Sequence, residues 1–282
     1  MRHVKFHHQT AQKAFTLVEM LVIAPIMLLT VAAFIGIIIS LTGQTLVAQA
    51  ENTLAYTVQD TLNRMEQDIQ VSGAFLASNT TPASSPQGFD NNTQAFNNIS
   101  TANGGMLILN AFATTGTGIS RAVIPIANLP NACSAANVDQ NQVLTYTIVY
   151  FIKDNALWRR AIMPSNYKTK GCSAPIERPT CAAAFVTSNG FCATPDEKLL
   201  ENASSIALDI KYYTTPQSTS PLTTASNPSS TTSTRQTSLN TATSAQVTIH
   251  ITQRVAGQDS TFDGTLRANR LGSLVTSVTP IP

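Results

Sequence analysis

The sequence predicts an α+β chain. One long N-terminal helix, apolar in its first half and amphipathic in its second, packs on a mostly antiparallel β-sheet domain. Three observations predict this. Residues 20–41 form a run of 22 without a charge. Apolar side chains then recur at helical spacing as far as Ile69. Past residue 105, short apolar or alternating segments are separated by turn residues, as strands are.

The first element is the uncharged run. At about 1.5 Å per helical residue it is long enough to cross a hydrocarbon core of about 30 Å. Glu19 stands at its head, and the next charge is Glu51. A carboxylate at the edge of a span is costly unless it reaches water or a cation, which makes Glu19 a functional candidate. Pro25 removes one backbone donor inside the run and predicts a kink or local unwinding. Gly36 offers a second point of flexibility or close packing.

The amphipathic half follows. Val47, Leu54, Val58, Leu62, Met65 and Ile69 recur at three, four or seven residues, with Ala50 and Thr61 filling the stripe. Glu51, Asp60, Arg64, Glu66 and Asp68 read as lying mostly off it. Gly73 reads as the stop signal.

Residues 73–282 suffice for one sizeable β-rich domain. Residues 77–104, rich in Asn, Ser, Thr, Gly and Pro, read as a long loop. Asn79, Asn91, Asn98 and Asn202 begin Asn-x-Ser/Thr triplets, which arise by chance in Asn-rich chains. Strands are expected at 106–109 and 122–126. A hairpin is expected from 143–152 and 156–162 about Lys153-Asp154-Asn155, with further strands at 205–213, 246–254 and 261–268. The flank of Trp158 suggests an aromatic packed on the sheet with Arg159 and Arg160 toward solvent; ligand binding by an Arg-Trp pair is the less favoured reading. Residues 214–245 are almost entirely Ser, Thr, Asn, Gln, Ala and Pro, with Arg235 the one charge. Such a composition buries too little apolar surface to offset ordering entropy and predicts a mobile loop between two paired strands, either glycosylated or adhesive, or simply solvated.

Cys133, Cys172, Cys181 and Cys192 lack the Cys-x2-Cys spacing of zinc sites, and His250 is the only histidine beyond His8. Four cysteines allow three pairings, of which Cys181–Cys192 with Cys133–Cys172 is favoured for an exported domain. No Gly-x-Ser-x-Gly, His-Glu-x-x-His or phosphate-loop motif occurs, so neither an enzyme nor a cofactor is expected.

The segment Lys13-Ala14-Phe15-Thr16-Leu17-Val18-Glu19-Met20, with a basic leader before it and the apolar helix behind it, resembles the N-terminus of type IV pilins and of type II secretion pseudopilins. In that family a prepilin peptidase removes the leader before a Phe-Thr-Leu-Val-Glu pattern and methylates the new N-terminal Phe. The resemblance implies cleavage between Ala14 and Phe15 and N-methylation of Phe15. The family usually has Gly before the cut; Ala14 is the next smallest side chain. Cleavage frees an α-amine, whose ordinary pKa is about 8. In a bundle of such helices Glu19 would pair with the Phe15 amine of a neighbouring subunit and set axial register, since an unpaired Glu there is penalised. A plain anchor, with Glu19 reaching the headgroups, is the alternative.

The resemblance implies a pilin-like chain divided into a leader at 1–14, a span at 15–43, an amphipathic helix at 44–72 and an exported domain at 73–282, whose size suits a minor subunit. It implies prepilin peptidase, other pilin or pseudopilin subunits and an inner-membrane assembly platform as partners. The chain would cross the cytoplasmic membrane once, N-terminus in the cytoplasm, and later stand in an extracytoplasmic or cell-surface filament. Losing Arg2, Lys5 and Lys13 with the leader takes the 17 Lys and Arg to 14, against 15 Asp and Glu, so the basic pI gives no support for a nucleic-acid surface. His3, His7 and His8 belong to the same leader and read as part of a basic cytoplasmic segment rather than a metal cluster. A signal-peptidase cut after Ala48-Gln49-Ala50 competes, but the apolar segment exceeds the roughly 7–15 residues of a signal-peptide core. A function of another class, a membrane-tethered or secreted surface adhesin, is the alternative.

Overall fold

The computed structural model describes residues 16–80, 88, 95–99, 105–116, 122–127, 138–164, 175–186, 192, 194–201 and 203–271. The chain divides into two compact units, residues 1–49 and 50–282. A single helix, α1 (Leu17–Gln70), runs from the first into the second and is unbroken at Pro25, so no local unwinding interrupts it there. Every described side chain of residues 16–42 is exposed.

In the second unit, α1 buries Leu54, Val58, Leu62, Met65 and Ile69 of the stripe expected from the spacing, while Val47 and Ala50 are only partly buried. Thr61 and Asp68 are buried with them. The helix ends at Gln70, where Ser72 Oγ donates to Ile69 O at 2.7 Å. Gly73 is therefore not its stop. It lies in the first strand, where a Cβ would stand 2.6 Å from Cζ of Phe112.

Five strands form an antiparallel sheet in chain order: β1 (Ser72–Phe75), β2 (Leu107–Phe112), β3 (Thr145–Lys153), β4 (Ala156–Ile162) and β5 (Glu197–Leu200). The β3–β4 hairpin turns on Asp154 and Asn155, at φ 53° and 52°, a pair of left-handed residues that suits a two-residue loop. Three more strands, β6 (Ser205–Tyr213), β7 (Ser244–Val255) and β8 (Gln258–Asn269), form a second antiparallel sheet, also in chain order. The stretch expected at 122–126 divides into two short strands, Ala122–Val123 and Pro125–Ala127.

The main core joins the buried face of α1 to one face of each sheet. Leu109, Ile148, Tyr150 and Leu157 come from the larger sheet, and Leu208, Val247 and Ile249 from the smaller. Gly264 of β8 permits close approach: a Cβ there would stand 2.6 Å from Val58 Cγ1 and 2.9 Å from Leu62 Cδ1. The other face of the five-stranded sheet carries a second cluster in which Ile108, Val149, Phe151 and Ile162 pack on Phe96 and Met106. Both faces of β3 are thus covered, which explains its continuous apolar run.

Two expected loops hold structure. Within 77–104, Ser78–Thr80 pairs with Ala95–Asn97, and Phe96 is fully buried. Within 214–245, a 3-10 turn (Thr223–Ser226) precedes a helix, α2 (Thr232–Thr241), capped by Thr231. Few apolar residues are needed to hold it: Ala225, Leu239 and Ala242 are fully buried. Arg235 supplies the rest, donating to Asn98 Oδ1 (3.0 Å), Asn97 Oδ1 (2.8 Å) and Ser230 O (2.5 Å). The segment also closes the free edge of β6, where Tyr212 O accepts from Leu222 N (2.7 Å) and Ile210 O from Ser226 Oγ (3.3 Å). A composition-based reading misses this because the anchoring is done by backbone donors and one cation rather than by apolar area.

Candidate functional site: the head of the long helix and two buried arginines

Among the residues singled out from sequence, Ala14, Phe15, Cys133 and Cys172 lie outside the described residues, as do Asn91 and Asn202. Glu19 stands in the first turn of α1. Its Oε2 accepts from Thr16 N (3.0 Å) and Thr16 Oγ1 (2.9 Å), while its own amide donates to Thr16 Oγ1 at 3.3 Å. This is a reciprocal capping box, in which each residue satisfies an amide the helix would otherwise leave unpaired. The Thr-x-x-Glu signature was in the sequence; attention to the charge alone passes over it. Oε1 of Glu19 has no hydrogen bond among the described residues.

Behind Glu19 the helix is long and apolar enough to cross a membrane. Its hydroxyls return to the helix's own carbonyls. Thr30 donates to Met27 O at 2.9 Å, Thr42 to Ile38 O at 2.8 Å and Thr45 to Leu41 O at 2.8 Å. No hydroxyl among these three needs water, which suits a surface facing hydrocarbon or other helices.

Cys181 and Cys192 form a disulfide, with Cα atoms 5.9 Å apart, as the favoured pairing expected. Both are buried. Asn98 and Asn79, two of the glycosylation triplets, use their side-chain amides inside the protein: Asn98 Nδ2 donates to Ala225 O at 2.9 Å and Asn79 Nδ2 to Thr147 Oγ1 at 3.0 Å. Among the described residues no group of three or more His, Cys, Asp or Glu is placed to hold a metal ion.

Arg159 and Arg160 do not face solvent; each is 2% exposed. Adjacent residues in a strand point to opposite faces, so the two enter different layers. Arg159 faces α1, donating through Nε to Asp68 Oδ2 (2.6 Å) and through Nη1 to Glu177 Oε1 (2.8 Å). Tyr150 Oη donates to the same Asp68 oxygen at 2.6 Å. Burial disfavours the tyrosinate first and the Asp68 charge adds to it, so the Tyr150 pKa is pushed well above its ordinary value. On the other face, Arg160 grips Asp196 through Nε (3.0 Å to each carboxylate oxygen) and Nη2 (2.5 Å). Its Nη1 donates to Gly88 O at 2.6 Å, and its guanidinium lies 5.6 Å and 5.3 Å from the ring centroids of Phe96 and Phe151. Trp158 is only half-buried, with Lys198 Nζ 5.1 Å from its ring centroid and its indole N–H donating to Lys153 O at 3.1 Å.

The sequence reading missed this pair of sites. The signals were present: two arginines in succession on a strand cannot both face water if both sheet faces are covered, and Asp68 lies three residues from Met65 and seven from Thr61, hence on the buried stripe. In comparisons with known proteins, no family model matches the chain, and neither a curated protein nor a solved structure matches it.

Proposed function

We propose that the chain is a minor pilin or pseudopilin, a structural subunit of a type IV pilus or of a type II secretion pseudopilus. One observation carries the reading. A single carboxylate, Glu19, stands at the head of an exposed helical run with no further charge until Glu51, directly behind the Ala14-Phe15-Thr16-Leu17-Val18 motif. Capping through Thr16 would serve an ordinary anchor as well, but it uses one oxygen only, and a bundle of such helices can use the other. Prepilin peptidase cuts between Ala14 and Phe15, and the methylated amine of Phe15 remains a cation. Thr16 occupies one oxygen of Glu19 and leaves Oε1 for the amine of a neighbouring subunit. The leader's positive charge favours a cytoplasmic N-terminus, which places residues 73–282 outside the cytoplasmic membrane.

Mass spectrometry of the mature N-terminus from the native host tests this. N-methylated Phe15 is expected. A start at Glu51 would instead describe a secreted protein, and an uncut Met1 a tethered one, both returning the adhesin reading. A second test separates filament from anchor: Glu19→Gln is expected to leave the chain in the membrane fraction but abolish its recovery in sheared filaments.

A further inference from the structure

Of the edges of the two larger sheets, one is long and open. In β1, the carbonyls of Gly73 and Phe75 accept from Arg270 Nη1 and from Gln236 Nε2, the latter at 3.1 Å. β5 is four residues long and its register with β4 shifts at Leu157, two devices that blunt an edge. The edge of β6 is closed by Leu222 and Ser226 and also by Gly105, whose amide donates to Leu208 O at 2.8 Å. β8 has no such protection. It runs twelve residues without a register shift and contains neither Pro nor Lys. Ala256 and Gly257, both at positive φ, make the two-residue turn into it, so Val255 and Gln258 exchange hydrogen bonds. Alternation from that pair aims the backbone N–H and C=O of Asp259, Thr261, Asp263, Thr265, Arg267 and Asn269 away from β7. None of these backbone groups is hydrogen-bonded among the described residues.

We propose that residues 273–279 of this same chain dock on the open edge of β8 as one more antiparallel strand. Residues 272–282 lie outside the described residues; their sequence, and the point at which the described chain stops, carry the assignment. Arg270 is pinned at the end of β8, its amide donating to Thr243 O (3.0 Å) and its Nε to Ala242 O (2.6 Å), and Leu271 has left the strand. Arg270, Leu271 and Gly272 then supply a three-residue loop with glycine in third place, where a left-handed residue is wanted. That loop sets Ser273 opposite Asn269, Val275 opposite Arg267, Ser277 opposite Thr265 and Thr279 opposite Asp263, with their amides aimed at the unpaired groups of β8. Seven residues at about 3.4 Å each reach about 24 Å, enough to cover the edge from Asn269 to Asp263. The same register puts Leu274 and Val278 on the side of β8 that carries Phe262 and Leu266, both only partly buried. It also turns the missing N–H of Pro280 and Pro282 outward, where a proline breaks no ladder and blunts the new edge. A four-residue loop would instead aim Pro280 at β8 and leave Leu274 on the polar face. Docked in this way, the chain's own segment keeps the domain from pairing edge to edge with others.

Amide hydrogen exchange on the full-length chain in detergent, resolved residue by residue, tests this. Three variants are compared with it: a chain stopped after Gly272, Ser277→Pro, which removes a donor aimed at β8, and Val278→Pro, whose N–H points away. The amides of Thr265 and Arg267 are expected to exchange about tenfold or more slowly in the full chain relative to the stopped one. Ser277→Pro should exchange like the stopped chain and Val278→Pro like the full one, with the inward amides of Gly264 and Leu266 slow throughout. Should the stopped chain fail to fold, the two proline variants decide alone. Equal exchange of Thr265 and Arg267 in the full and stopped chains would overturn the proposal, as would protection that survives Ser277→Pro. Protection that grows with protein concentration would overturn it too, and assign the edge to a second copy.

Discussion

Asp68 is the residue on which the long helix and the larger sheet depend together. Its carboxylate is 5% exposed and takes two short hydrogen bonds, from Tyr150 and Arg159. Asp68→Ala leaves a buried guanidinium short of one counter-charge, and a loss of about 3–5 kcal/mol is expected in urea unfolding. By contrast, Arg160→Met with Asp196→Leu removes both charges of a pair together and is expected to change stability by no more than about 1–2 kcal/mol. A gain is available at the β7–β8 turn. Ala256 sits at φ 52°, beside Gly257 at φ 82°. A Cβ in that region is strained, so Ala256→Gly is expected to raise stability by about 0.5–1 kcal/mol, read as a higher thermal midpoint. None of these roles is written in composition. Asp68 looks like any surface acid until its position on the helix stripe is weighed against its charge, and Arg159 looks solvated until its strand is known to be covered on both faces.

At the scale of elements, the pattern that survives translation into structure is periodic. The stripe on α1 and the alternation in β6 and β7 were legible because each buries one face, and the β3–β4 turn because Asp154 and Asn155 tolerate positive φ. The segment 214–245 was not legible, since its order rests on capping, on edge closure and on Arg235, none of which has a period. Two expectations follow. Gly264→Ala forces a methyl into Val58 and Leu62, both buried, and is expected to cost about 1–3 kcal/mol. If the helix α1 were instead loosely seated on β8, the substitution would be neutral. Arg235→Met removes the hydrogen bonds to Asn97 and Asn98, and early proteolytic cleavage within 214–245 is expected, before the rest of the domain is cut.

For the whole molecule, the proton balance has a definite sign. Burial raises the pKa of Tyr150, aided by Asp68, and burial raises that of Tyr212. The native state therefore holds these protons more tightly than the unfolded chain does. Stability is intact below the ordinary tyrosine pKa of about 10 and falls as pH rises above it, so the urea midpoint should hold up to about pH 10 and drop steadily beyond it. Tyr150→Phe should flatten that drop at the expense of some stability at neutral pH. The adjacent arginines also guard against an error of pairing. Suppose β4 slipped by one residue against β3 and β5. In one direction Arg160 would meet Asp68 and Glu177 while Ala161 faced Asp196; in the other Arg159 would meet Asp196 while Trp158 faced Asp68. Either way one acid site loses its cation and one guanidinium enters a layer built for something else. An apolar strand could slip at the expense of packing alone; this one cannot slip without stranding charge, so the two ion pairs exclude the neighbouring alignments of the sheet as well as stabilising the native one.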